Sequence, residues 1–454
     1  MNQNSSYTNV EVNQNPPIGR LSIMMFLQYA IWGAWLPLLW PFLTEHREMS
    51  PEQVGNMFAV GALGAIIAPF IAGQIADRWF ATEKFLALSH IIGGILVWQL
   101  ASIETYSSFL VFSLIYSLVY SPTLPLTNSL AFHHLDDIDK DFGRVRVWGT
   151  VGWIVVGIAI GQWLLHMHAA DPKAGMADAF RLSGALGVAM GVYCLSLPHT
   201  PPAKSETQNA TGRALGEIKR QPLVTLFLLA VPVSCIHQFY FVHTAGFLGG
   251  LQEQASGFID IVNKIVGVGG GGLMTIGQMS EIGVLAMMPL LAAKLSRKHL
   301  LALGLIAYAL RMALFANHEA VGIGGVLVGI AMHGFAFGCF IFVAFMVVDE
   351  NTSSDVRASA QSLFNLVIIG IGTIVGSKIA TSAATWSTHD MELTLRQVID
   401  NLLAHDSGSA ASSAAWSTHE AILSFNQLFS YPMWASIACL VALLIFYPNS
   451  KKLS

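Results

Sequence analysis

Apolar runs of about 20 residues follow one another along this chain, each closed by a short polar break. That length fits a helix crossing a bilayer, at 1.5 Å of rise per residue. Twelve such helices are predicted, over roughly 21–43, 54–76, 84–103, 108–132, 146–166, 177–198, 222–246, 271–291, 299–318, 322–348, 358–381 and 430–447. Pro122 and Pro125, in S-P-T-L-P-L-T-N, predict a bend in the fourth. Gly149, Gly157 and Gly161 form a small-residue stripe on the fifth, suited to close helix contact. Gly269 to Gly272 precede the eighth and predict a flexible or broken entry.

Two longer polar stretches divide the pattern. His199 to Gln221 separates the helices six and six, which predicts a first bundle over 1–198, a cytoplasmic linker over 199–221 and a second bundle over 222–454. A long external segment at 382–429 interrupts the second bundle and repeats W-S-T-H at Trp386 and Trp416. Basic residues decide orientation, because cytoplasmic loops collect Lys and Arg. With the N-terminus inside, only Arg47, Lys173, Arg181, Lys264 and Arg396 of the 23 basic residues face outward. Arg146, Arg311 and Lys378 lie in or near helices, and the other fifteen face inward. Both termini are therefore expected in the cytoplasm.

Composition agrees with a polytopic all-α membrane protein. The chain is 54% hydrophobic and 11% charged, where soluble domains carry about 25% charged residues. Cys194, Cys235, Cys339 and Cys439 all lie in apolar runs and read as small core side chains. The polar, Asn-rich start lacks the pattern of a cleaved signal peptide. No P-loop, G-x-S-x-G or H-E-x-x-H motif is present, so ATP hydrolysis and the commoner hydrolase chemistries lack support. His133-His134 precedes no further ligands at metal-binding spacing, and neither metal, cofactor nor nucleic acid is expected.

Against this apolar background the polar residues stand out. Asp139 to Trp153 reads D-K-D-F-G-R-V-R-V-W-G-T-V-G-W, dense in charge up to Arg146, with Thr150 one turn deeper on the same face. Arg146 must either snorkel to the interface or meet something polar; Arg144, on another face, is the better interface residue. Glu281 is the only acid deep inside a helix. Arg311 and His333 fall at a comparable depth in the next two helices, so the three are expected to face one another. A carboxylate and an imidazole whose protonation can change suit proton coupling. Gln278 shares the face of Glu281. The seventh helix offers His237, Gln238, Tyr240 and His243, and the first offers Gln28 and Trp32. Rings that stack and amides that read edges suit a flat, polar ligand.

Several segments resemble a known family. Gly73-Gln74-Ile75-Ala76-Asp77-Arg78 resembles the G-x-x-x-D-R loop of the major facilitator superfamily, where Gly73, Asp77 and Arg78 would form a conformational latch. Phe26 to Leu36, Tyr120 to Asn128, Val145 to Trp153, Gln278 to Glu281, Leu310 to Ala316 and Arg357 to Gln361 are together similar to the nucleoside:proton symporter family within it. The resemblance implies a major-facilitator-type fold of two six-helix bundles around a central cavity, in a bacterial inner membrane. It implies import of nucleosides with protons by alternating access, by a protein expected to act as a monomer. It would place Arg146, Thr150, Gln238, Gln278, Glu281 and Phe337 on the ligand, and Glu281, His333 and Arg311 remain the proton-coupling candidates. Where the family pattern has Asn, Tyr and Asp, this chain has Phe241, His333 and Gly338. The lost Asp and the R-V-W-G-T segment keep open a sugar or oligosaccharide:proton symporter, or a nucleoside facilitator without coupling.

Overall fold

A computed structural model describes residues 17–76, 80–136, 138–201, 210–253, 257–353, 356–386 and 424–448. Every regular element among them is helical. In chain order the long helices are α1 (Ile18–His46), α2 (Pro51–Ala76), α3 (Thr82–Leu100), α4 (Tyr106–His134), α5 (Asp141–Met167) and α6 (Ala177–Cys194). Then follow α7 (Leu223–Glu253), α8 (Gly271–Lys294), α9 (Arg297–Ala316), α10 (His318–Glu350), α11 (Ala360–Ala384) and α12 (Phe425–Phe446). All twelve predicted positions are helices. Among the described residues nine are long and apolar enough to cross a membrane. Of the other three, α3 and α6 carry Glu83 with Lys84 and Asp178 with Arg181 near their starts.

The helices form two bundles. In the first, α1 packs on α5 and α6, α3 on α6, and α2 on α4. In the second, α7 packs on α11 and α12, α9 on α10 and α12, and α8 on α10. Each bundle has an aromatic centre. Phe42 and Phe180 stand 4.6 Å apart in the first, and Phe315 and Phe429 stand 5.2 Å apart in the second. Between bundles, α5 meets α8 and α2 meets α11.

The α5 stripe makes the first of these contacts possible. Gly149 lies against Tyr29 of α1, while Gly157 lies against Thr275 of α8, where an added methyl group would come within 2.8 Å of Thr275 Cγ2. Regular helix in α4 is interrupted at Ser121-Pro122, between Tyr106–Tyr120 and Thr123–His134. The glycine run before α8 is broken, as expected, but it is tied down rather than loose. Gly267, Gly269 and Gly270 all have positive φ. Gln252 clamps the turn, accepting from Gly270 N at 2.8 Å and donating to the Gly267 carbonyl at 2.8 Å and to Asn263 at 2.7 Å.

The polar stretch 382–429 is helical where it joins its two neighbours. Helix α11 continues through Ala383 and Ala384, which are buried, and α12 begins at Phe425, whose ring meets Phe247 at 5.0 Å. Residues 387–423, including the second W-S-T-H, lie outside the described residues. So do Asp77 and Arg78; Gly73 belongs to the last turn of α2.

Candidate ligand and proton site between the bundles

The Gly157–Thr275 contact sets the register of α5 against α8. From it, both helices run toward the end of the bundle that holds the 199–221 linker, α5 by descending and α8 by ascending residue number. Six residues along each, about 9 Å, bring Glu281 level with Val151, next to Thr150. Gln278 falls level with Ile154. Arg146 lies about 7 Å nearer the linker end, within reach for a long side chain.

Arg146 does not simply snorkel. Its guanidinium carbon lies 4.1 Å from the centroid of the Tyr29 ring of α1, a stacking contact that suits a planar cation. Arg144 instead pairs with Asp141 at 3.1 Å, with a mostly exposed side chain. Arg146 is half-buried against Tyr29, and Arg144 is exposed beside Asp141.

In the second bundle three helices bring three ionisable groups into a line. Glu281 Oε2 stands 3.7 Å from His333 Nε2. On the other side of the imidazole, Arg311 Nη1 stands 3.0 Å from His333 Nδ1. The three were expected to face one another; the structure sets His333 between Glu281 and Arg311, because α8 packs chiefly on α10. Arg311 is 0% exposed. Among the described residues its Nε and Nη2 have no hydrogen-bond partner. Its guanidinium lies 4.3 Å from the Tyr240 ring centroid and 5.0 Å from that of Tyr308. Burying such a cation costs several kcal/mol, and two aromatic faces offset part of it at about 2 kcal/mol each when desolvated.

Rings surround the imidazole. Tyr240 stacks on His333 at 4.9 Å, His237 at 5.6 Å and Phe337 at 6.3 Å. Tyr308 OH and His237 Nδ1 share a hydrogen bond at 2.8 Å. Phe337 begins a π-helical turn, Phe337–Phe342, within α10; such turns widen a helix and redirect side chains. Gly338, where the family pattern has Asp, faces Val284 so closely that an added methyl group would come within 2.8 Å of Val284 Cγ1. Phe241, where the pattern has Asn, meets Trp153 of α5 edge-on at 6.3 Å. Trp153 in turn meets Trp32 at 6.0 Å. An aromatic chain therefore runs from the first bundle to the second.

The structure thus brings together Glu281, His333, Arg311 and Phe337, and sets Gln278, Thr150 and Arg146 along the facing walls. Gln238 is buried on α7 with its Cβ beside Gly376 of α11. Gln28 is 0% exposed and donates to Thr123 at 2.9 Å inside the first bundle, leaving its Oε1 without a partner among the described residues. Tyr29, Trp153 and Tyr308 were not singled out from sequence. Each lies one or three residues from a residue that was, which is the only signal they give. A polar cleft of about 320 Å³ lined by Glu217, Arg220, Glu350 and Ser353 lies elsewhere, roughly 25 Å along α10 from His333.

The bundles close at the end remote from the linker. Trp40 meets His243 at 4.5 Å, Lys378 of α11 donates to Asn56 of α2, and Gln162 donates to the Lys264 carbonyl at 2.9 Å. At the linker end, Glu217 of the linker helix Ala210–Ile218 accepts from Ser353 N at 3.0 Å and from its hydroxyl at 2.6 Å.

Sequence comparison decides the family. The profile described as nucleoside H+ symporter matches residues 18–400. This chain belongs to the nucleoside H+ symporter family. It is 31% identical over 372 residues to the putative nucleoside transporter YegT of Escherichia coli (strain K12), covering 79% of this chain and 83% of that one. It is 28% identical over 382 residues to the xanthosine permease of the same organism, covering 82% and 88%. The crystal structure of the nucleoside transporter NupG superposes with a TM-score of 0.76 at 22% identity, covering 95% of this chain and 99% of that one. The symporter has the major-facilitator fold, with two six-helix bundles, and is a multi-pass membrane transporter.

Proposed function

We propose that this symporter imports nucleosides together with protons by alternating access, with the ligand held between Arg146 and Thr150 of one bundle and Gln278 and Glu281 of the other. The observation that carries this reading is the α5–α8 contact between the bundles, whose Gly157–Thr275 register puts Glu281 level with Val151, beside Thr150 and about 7 Å from the level of Arg146. A ligand gripped from both sides favours the state in which the sides are closest, and that is how binding energy drives the transition. Nucleoside hydroxyls and base edges need donors and acceptors, which the Gln, Thr, Arg and Glu side chains supply. Phe337 gives an aromatic face for the base. Gln238 and Trp32 extend the polar and aromatic lining.

Glu281 supplies the group that gains and loses the proton, and Arg146 opposes it from the far wall. The bias of basic residues puts the linker end and both termini in the cytoplasm. The contacts Trp40–His243 and Lys378–Asn56 then close the site to the outside, and this is a state closed toward the periplasm of a bacterial inner membrane. The bundles divide at the linker 199–221, and one chain forms a complete site. Labelled uridine uptake into proteoliposomes, challenged with excess unlabelled nucleosides or free sugars, tests the reading. Competition by nucleosides supports it; competition by sugars alone points to a sugar symporter.

A further inference from the structure

We propose that Arg311 is a positioning residue that fixes the tautomer of His333, so that His333 keeps an Nε2–H turned toward Glu281 and the ligand cleft and is not itself the proton carrier. This rests on the transport reading above, but its physical basis is the donor chemistry of three side chains. A guanidinium has only donors. The 3.0 Å contact between Arg311 Nη1 and His333 Nδ1 therefore requires Nδ1 to accept, with a lone pair and no proton. A neutral imidazole carries one ring proton, so it must sit on Nε2. Nε2 is the nitrogen that faces Glu281 Oε2, at 3.7 Å. That distance is too long for a hydrogen bond and leaves the N–H pointing at the carboxylate side of the cleft.

Protonating His333 at Nδ1 would place an N–H against the guanidinium, breaking the contact and setting two cations side by side. The groups around the ring offer no relief on that side. Arg311 and Tyr308 come from α9, and His237 and Tyr240 come from α7, with the Arg311 guanidinium over both tyrosine rings. The one acid facing His333 among the described residues is Glu281 from α8. The arrangement is a one-way wire of orientation: Arg311 sets the imidazole, and the imidazole presents a fixed donor to a carboxylate that can exchange its proton with the cleft.

Long-range proton–nitrogen NMR of the imidazole side chains, on the full-length protein in nanodiscs, reads the tautomer directly. The 15 histidines are separated by difference against His333→Gln, or His333→Asn should the Gln variant not fold. The expected result is a His333 with protonated Nε2 and bare Nδ1, unchanged from about pH 8 to about pH 5.5, and loss of that fixed state in Arg311→Leu. A proton on Nδ1, or a doubly protonated His333 within that range, would overturn the proposal. Transport gives the second readout. His333→Gln is expected to raise KM several-fold yet keep the ratio of uptake with and without an imposed proton gradient; loss of that ratio with counterflow intact would make His333 the carrier. Should no nucleoside be transported at all, the tautomer measurement still stands or falls alone.

Discussion

Arg146 and Glu281 come from opposite bundles, from helices whose register is set by the Gly157–Thr275 contact six residues away from Glu281. The half-buried Arg146 stacks on Tyr29, whose ring face suits a planar cation. Arg146→Ala should abolish nucleoside uptake while leaving the protein folded. A hydrogen bond to a charged group contributes about 1.5–3 kcal/mol, so ligand affinity should fall roughly 10- to 150-fold. Arg146→Lys should recover little, since an ammonium cannot lie flat on Tyr29 or bind in a fork. Binding measured by calorimetry on detergent-purified protein checks both. A fully active Ala variant would return Arg146 to the role of an interface residue.

Glu281→Gln should separate substrate exchange from proton coupling. The amide keeps the shape and one acceptor of the carboxylic acid but cannot ionise. Exchange of internal for external nucleoside is expected to persist, while accumulation driven by a proton gradient is expected to disappear. Counterflow and gradient-driven uptake measured on the same proteoliposomes compare the two. If gradient-driven accumulation survived in the variant, the proton would have to be carried elsewhere.

Gln252 makes a stability prediction away from the site. Its amide satisfies Gly270 N–H, the Gly267 carbonyl and Asn263 at the sharp turn into α8. Gln252→Ala would leave buried polar groups unpaired at about 1–3 kcal/mol apiece. Thermal unfolding in detergent should therefore move to lower temperature, whereas Gln252→Glu should retain the bond to Gly270 N–H and lose the two donated ones.

Lys378 should hold the closed end of the bundles together. It reaches from α11 to Asn56 of α2, which itself donates to Tyr106 OH at 2.8 Å. Removing the ammonium in Lys378→Met leaves Asn56 without its cross-bundle partner and weakens the closed state. A cysteine placed at Thr381, buried beside Gly55, should then react faster with a membrane-impermeant maleimide added outside whole cells. An unchanged labelling rate would show that the aromatic and backbone contacts alone close this end.

The fold was legible because apolar length is a direct consequence of bilayer thickness, and all twelve helices lie where the runs do. Charged residues in those runs were legible for the same reason: Arg146, Glu281, Arg311 and His333 cannot be overlooked against leucine and valine. Their order was not. Depth along a helix places Glu281, Arg311 and His333 at one level, but which neighbour each faces depends on helix packing, and α8 chose α10 over α9. Tyr29, Tyr308 and Trp153 escaped notice because an aromatic ring in an apolar run carries no mark of the cation or imidazole it will meet. The Lys378–Asn56 bond joins residues 322 positions apart, a pairing that no local pattern contains. The extent of α12 was also underestimated, since Ser424, whose side chain accepts from Gln427 N, starts the helix before the hydrophobic run becomes obvious.

Uptake of labelled uridine into proteoliposomes, with and without an imposed inward proton gradient, tests the central claim most directly. The predicted result is accumulation above the external concentration only when the gradient is present, collapsing on addition of a protonophore. Uridine equilibrating to the same level in both conditions would contradict proton symport, and no uridine entry at all would contradict nucleoside transport.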